Sequence, residues 1–339
     1  MRLKLPASLD PFLLFLVGTV AIASLAPCRG EGAVVFGWIT SGAITLLFFL
    51  HGAKLSREAI VAGIGHWRLH LLVLASTFVL FPVLGLLVRA LGNGWIAPDL
   101  AAGVLFLCLL PSTVQSSIAF TSIARGNVPA AVCSATLSNF VGIFITPILV
   151  GLLMNVRAAG GGLSLHSVEA IAQQLLAPFV VGHLSRPLSA GFLARHKTLV
   201  GRVDRGSILL VVYTAFSAAV AQGLWAKLSP GDIGLVLGLD ALILAVALAT
   251  TTWAARALGF SREDEISIVF CGSKKSLASG VPMAGILFPA ATVGPIIVPL
   301  MLFHQMQLMV CAVLARRYAG RSAEGESEPI ASAANSSAA

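Results

Sequence analysis

Long apolar runs, separated by short clusters of Gly, Pro and charged residues, recur along the whole chain. Their limits predict ten membrane crossings, at residues 11–27, 33–51, 69–90, 99–122, 128–154, 166–184, 205–226, 232–256, 264–288 and 292–315. Each is close to the roughly 17–25 residues a helix needs to span the hydrocarbon layer. The pattern stops at GRSAEGESEPIASAANSSAA, small and polar, so 319–339 is expected to be a disordered cytoplasmic tail.

Two of these spans are interrupted. In the fourth, Pro111 removes a backbone hydrogen bond, and Ser112, Thr113, Gln115, Ser116, Ser117 and Thr121 crowd the positions that follow. In the ninth, the stretch FCGSKKSLASGVPMAGILF (270–288) carries Lys274 and Lys275 inside otherwise apolar sequence. A lysine at mid-membrane costs roughly 2.5–3.5 kcal/mol, so the pair needs a polar cavity, a carboxylate or a bound anion. Snorkelling to an interface is the alternative, but apolar sequence continues on both sides, at 266–270 and 281–288. Gly272, Ser273, Ser276, Ser279, Gly280 and Pro282 break the helix there and supply hydroxyls and free backbone groups. Backbone of that kind survives at membrane depth only where protein or a water-filled cavity surrounds it.

Composition agrees with the pattern: of 339 residues 57% are hydrophobic and 11% charged, with mean hydropathy +0.93. A soluble domain is excluded, since such domains are about 25% charged. The net charge of +8 implies no nucleic-acid partner, because cytoplasmic loops collect Lys and Arg for topological reasons. With the N-terminus inside, 16 of the 22 lysines and arginines fall in inside segments and 4 outside, the other two being Lys274 and Lys275. An integral protein of a bacterial-type inner (plasma) membrane with both termini cytoplasmic is expected. Arg2, Lys4 and the apolar run that follows mimic a signal peptide, but Pro27 beside the would-be cleavage site favours a retained first helix. The five cysteines are scattered, with no zinc-type or disulfide spacing, and no metal is assigned.

Ten spans divide into two sets of five, and an odd number per set inverts the second relative to the first. At an offset of 160 residues Ser116, Ala124, Pro129, Ala130 and Ala131 meet Ser276, Ala284, Pro289, Ala290 and Ala291, and each half has its interrupted span fourth. The expected fold is an all-α polytopic membrane protein: a first repeat over 1–160, a second over 161–318, with the fourth and ninth helices broken and crossing. Paired broken helices point to a midplane transport site.

Candidate site residues are Lys274, Lys275, Ser273 and Ser276 in the ninth span and Thr113, Gln115, Ser116 and Ser117 in the fourth. The fifth span adds Ser134 and Thr136. Asp240 is the leading countercharge for the lysines, with Glu169 second. Ser261 to Glu265 reads as a helix cap at the cytoplasmic surface. His304, Gln305 and Gln307 are placed to line the same cavity, where a lone histidine more often serves packing. An enzyme is not expected: there is no HExxH, GxSxG or paired-carboxylate motif, and the adjacent Lys275 and Ser276 point about 100° apart on a helix.

At LPSTVQSS (110–117), CGSKKSL (271–277) and the following GVP (280–282), the sequence resembles the bile acid:sodium symporter family. It looks closest to the subgroup similar to sodium/bile acid cotransporter seven and its uncharacterised bacterial relatives, over nearly the whole chain to about Tyr318. The resemblance implies a core of spans three to five and eight to ten, a panel of spans one, two, six and seven, and substrate bound between them. It also implies sodium ligands near Ser116, Ser117, Ser134 or Thr136, and Thr77. The family's glutamate position falls on Phe270, however, and its amide pair on Lys274 and Lys275. An ammonium can occupy a cation's place among carbonyl and hydroxyl oxygens, and loss and gain of its proton would then replace sodium. Alternatively, one lysine faces an anionic substrate.

The expected function is secondary active transport of a small or amphipathic organic anion by alternating access, coupled to sodium, to protons, or uncoupled. The only cofactor-like species expected is that coupling ion, Na+ or H+. A membrane regulator that transports nothing is the alternative.

Overall fold

The computed structural model describes residues 11–54, 66–92, 95–154, 176–227 and 229–336. Among them there are helices and turns but no strand; helices are one of the two structures, with closed barrels, that satisfy backbone surrounded by lipid. The chain runs through α1 (Pro11–Leu25), α2 (Glu31–Lys54), α3 (Trp67–Ala75), a π turn (Ser76–Leu80), α4 (Phe81–Leu91), α5 (Pro98–Leu109) and α6 (Gln115–Ile123). It continues with α7 (Val128–Leu153), α8 (Ala177–Leu184), α9 (Arg186–Arg195), α10 (Lys197–Ala221), α11 (Leu224–Lys227) and α12 (Pro230–Ala257). The last are α13 (Arg262–Gly272), α14 (Leu277–Leu287) and α15 (Ala290–Ser336).

Among the described residues, six helical segments are long and apolar enough to cross a membrane: 30–54, 67–91, 128–153, 197–221, 230–257 and 290–320. The expected fourth and ninth spans miss that length because each is split, at 110–114 and at 273–276. Pro111 ends α5, whose Leu110 cap is extended (φ −79°, ψ 156°). Ser276, also extended, restarts the helix as the N-cap of α14 by accepting from the Ser279 N–H at 3.2 Å. Pro147 and Pro282 interrupt nothing: both lie inside continuous helices, α7 and α14. Of the expected sixth span, 166–175 lies outside the described residues, and with it Glu169.

The core sits where α15 packs against α5 on one side and α10 on another, with α14 between α10 and α15. Phe106 meets Phe288 edge-on at 5.2 Å and Phe81 meets Phe303 at 6.1 Å. Against this body α2 packs on α8 and α10, and α1 on α10.

Candidate functional site

The two helix breaks lie against each other, and each supplies what the other lacks. A helix that stops leaves its last carbonyls without N–H partners. At the end of α13, hydroxyls take them: Ser117 donates to Phe270 O at 2.8 Å, Ser112 to Cys271 O at 2.5 Å and Ser76 to Gly272 O at 2.7 Å. At the end of α5, Thr146 donates to Leu109 O at 2.8 Å, and the Ser276 N–H donates to Pro111 O at 2.9 Å. Asn139 ties both breaks together, donating to Ser112 O at 2.6 Å and accepting from Ser279 Oγ at 2.8 Å.

Cys108 and Leu110 still need donors, and Lys275 provides them. Its Nζ lies 3.0 Å from Cys108 O, 2.6 Å from Leu110 O and 2.8 Å from Thr77 O, and 4.1 Å from the centre of the Phe81 ring. Thr77 O is available because of the π turn. The Phe81 N–H, which would reach Thr77 O in an α-helix, reaches back five residues to Ser76 O. The residue five after Thr77 is Pro82, which has no N–H. Three fixed carbonyls, two of them at the negative end of a half-helix, therefore surround one ammonium with three N–H bonds. The residue is fully buried.

Lys274 is equally buried but differently held. Its Nζ lies 4.6 Å from the Phe120 ring centre, 5.6 Å from that of Phe270 and 3.4 Å from Ser116 Oγ. Aromatic faces attract a cation through their quadrupole. Phe270, where the resemblance puts a glutamate, thus offers a ring face in place of a carboxylate.

In front of the breaks lies a cavity of about 810 Å³. Thr113, Gln115, Ser116, Thr136, Asn139, Ser276, Ser279 and His304 line one wall; Leu47, Phe48, Phe140, Ile143 and Phe179 line its apolar part. Around its mouth stand Lys54, Lys197, Arg202 and Arg205, with Asp204 ion-paired to Lys54. Neither Lys274 nor Lys275 lines the cavity; both lie one layer behind it, Lys274 reaching it through Ser116.

The other expected site residues take different places. Asp240 is not a countercharge within salt-bridge reach: it is fully buried on α12 and neither carboxyl oxygen has a hydrogen-bond partner, while Lys275 spends its donors on carbonyls. Ser134 bonds His70 Nδ1 at 2.6 Å, not Ser116 or Ser117, whose hydroxyls bond Thr113, Lys274 and Phe270 O. Ser273 donates to Val269 O at 2.6 Å in its own helix. Thr77 contributes its carbonyl, since its hydroxyl donates to Val73 O at 2.8 Å. Thr113 bonds Ser116 and Ser117, at 2.7 and 3.1 Å.

Two residues gain roles that the sequence reading did not give them. Gln307, fully buried on α15, clamps the backbone of Lys275. Glu265 is not at the open surface: it is 7% exposed, held by Arg256 through two 2.9 Å bonds and by Tyr318 OH at 2.8 Å. Ser261 does cap α13, accepting from the Asp264 N–H at 3.2 Å. Among the described residues, no group of three or more His, Cys, Asp or Glu side chains is arranged to hold a metal ion.

The chain is similar over most of its length to proteins of known kinship. It is 58% identical over 313 residues to an uncharacterised protein of Pseudomonas aeruginosa (92% of this chain, 93% of that one). It is 54% identical over 331 residues to the putative symporter YfeH of Escherichia coli K12 (98% and 99%). Identity to sodium/bile acid cotransporter 7 of Mus musculus is 28% over 323 residues (93% and 94%). Residues 10–320 match the profile of a group of membrane transporters, not enzymes. The chain belongs to the SBF-like CPA transporter family.

Proposed function

We propose that this transporter moves a small or amphipathic organic anion by alternating access, and that the Lys275 ammonium stands where a coupling cation would otherwise sit. The observation that carries the reading is the carbonyl cage, with Nζ 2.6, 2.8 and 3.0 Å from Leu110, Thr77 and Cys108 oxygens. Carbonyl dipoles at the end of a broken membrane helix coordinate cations in transporters generally. Here the cation is tethered to the chain, so transport is coupled to protons or uncoupled. Sodium has little to recommend it: Phe270 is no carboxylate, and the hydroxyls of Ser116 and Ser117 are taken by Thr113, Lys274 and Phe270 O.

The substrate lies in the 810 Å³ cavity, its charge toward Lys197, Arg202 and Arg205 and its apolar part against Phe48, Phe140 and Phe179. Ten spans in two inverted sets of five, 1–160 and 161–318, with both termini cytoplasmic, fit the paired breaks. In that orientation the cationic mouth opens inward. α3 to α7 with α12 to α15 form the core, and α1, α2, α8 and α10 the panel that moves against it.

Uptake into proteoliposomes tests the proposal, with a radiolabelled bile acid first and a panel of carboxylates and sulfonates next. Accumulation driven by a gradient acid outside, or equilibration without one, at equal rates in sodium and potassium, is expected. A requirement for a sodium gradient overturns the coupling, and failure to move any organic anion overturns the substrate class.

A further inference from the structure

Away from the cavity, α12 and α15 leave a second groove, of about 1060 Å³, on the outside of the bundle. Its walls are apolar, with Leu248 and Trp253 on α12 and Met309 and Val313 on α15; Trp253 is 71% and Val313 55% exposed. At one end both helices present an arginine, Arg256 in the last turn of α12 and Arg317 on α15. Arg317 is exposed. Arg256 binds Glu265 yet keeps 59% of its side chain open. Leu248 to Arg256 is about 12 Å of helix, most of the roughly 15 Å depth of one leaflet's hydrocarbon.

We propose that this groove is a binding site for an anionic phospholipid, one acyl chain lying between α12 and α15 and the phosphate paired with Arg317 beside the open edge of Arg256. Charge and depth argue for this occupant. A guanidinium matches a phosphate with two parallel hydrogen bonds, and basic pockets between membrane helices at the interface select anionic headgroups. Trp253, one turn inside Arg256, sits at the level that favours an indole ring.

The full chain is reconstituted in vesicles of phosphatidylcholine carrying increasing brominated-chain phosphatidylglycerol or brominated-chain phosphatidylcholine. The Trp253 signal is isolated as the difference between wild type and Trp253→Phe. Phosphatidylglycerol is expected to quench it at about fivefold lower mole fraction than phosphatidylcholine, the preference worth one basic contact. Arg317→Gln should remove the preference without changing the melting temperature. Equal quenching by both lipids, or a preference that survives in Arg317→Gln, overturns the site. So does protection from both lipids in a protein that is dimeric by light scattering, which would give the groove to a second copy.

Discussion

Gln307 closes both main-chain hydrogen bonds of Lys275: its Oε1 accepts from the Lys275 N–H at 2.9 Å, and its Nε2 donates to the Lys275 carbonyl at 2.9 Å. Lys275 lies between α13 and α14, where no helix ladder serves it. The amide thus does from α15 what a neighbouring turn does elsewhere, and it fixes the stem from which the ammonium reaches its cage.

Removing that amide should be costly. Gln307→Ala leaves a buried N–H and a buried carbonyl unmatched, at about 1–3 kcal/mol each. The melting temperature in detergent should fall by several degrees. A wild-type melting temperature for Gln307→Ala would show that the clamp contributes nothing.

Emptying the cage should create a sodium site. In Lys275→Ala the carbonyls of Thr77, Cys108 and Leu110 would face each other without a cation. Sodium chloride, compared with choline chloride at equal ionic strength, is expected to raise that variant's melting point while leaving wild type unchanged. A ligand at a hundred times its Kd stabilises by about 2.7 kcal/mol, a shift well above measurement error. Sodium stabilisation of wild type, or none in the variant, would be evidence against a built-in cation.

The lysine pair and both breaks were legible from sequence because charge in an apolar run and proline in a helix are local signals. Pro111 and the Gly272–Ser276 stretch mark where carbonyls lose their partners. Which donors then find those carbonyls depends on which helices cross, and periodicity carries no record of that. The resemblance makes Thr77 a sodium ligand, whereas its hydroxyl is spent on Val73 O and its carbonyl faces Lys275; Pro82, five residues on, is the signal for the π turn. Asp240 suggested a countercharge only because carboxylates are scarce here, and a carbonyl cage needs none. The resemblance groups Ser134 with Ser116 and Ser117 as sodium ligands, but its hydroxyl bonds His70. Glu265 read as a surface acid because it follows a helix cap, and nothing local announces that Arg256 and Tyr318 close over it.

Glu265 offers a test of how α13 is anchored. Its Arg256 partner is largely exposed, but the carboxylate is buried. Loss of Arg256 should therefore cost about 1.5–3 kcal/mol, typical of a hydrogen-bonded charge. Loss of both residues should cost less than the sum of the two single losses, because no unpaired carboxylate remains. Melting curves of Arg256→Ala, Glu265→Ala and the double variant make the cycle. Strict additivity would mean that the two side chains are not coupled.

The panel should be intolerant of one added methyl group where α2 meets α8. A Cβ on Gly52 would lie 1.9 Å from Phe179 O, and one on Gly182 would lie 2.0 Å from Phe49 O. Both obstacles are backbone, so no rotamer change relieves them; small residues are what let membrane helices approach this closely. Overpacking typically costs about 1–3 kcal/mol, and the two helices would have to separate to make room. Gly52→Ala and Gly182→Ala are each expected to lower the melting temperature by several degrees. The double variant should cost less than the sum of the two, since the first methyl already parts the helices. Gly42→Ala, on the same helix with nothing within 4 Å of the new carbon, serves as the control and should melt as wild type does. If Gly52→Ala also melts as wild type, the close packing of α2 on α8 is wrong.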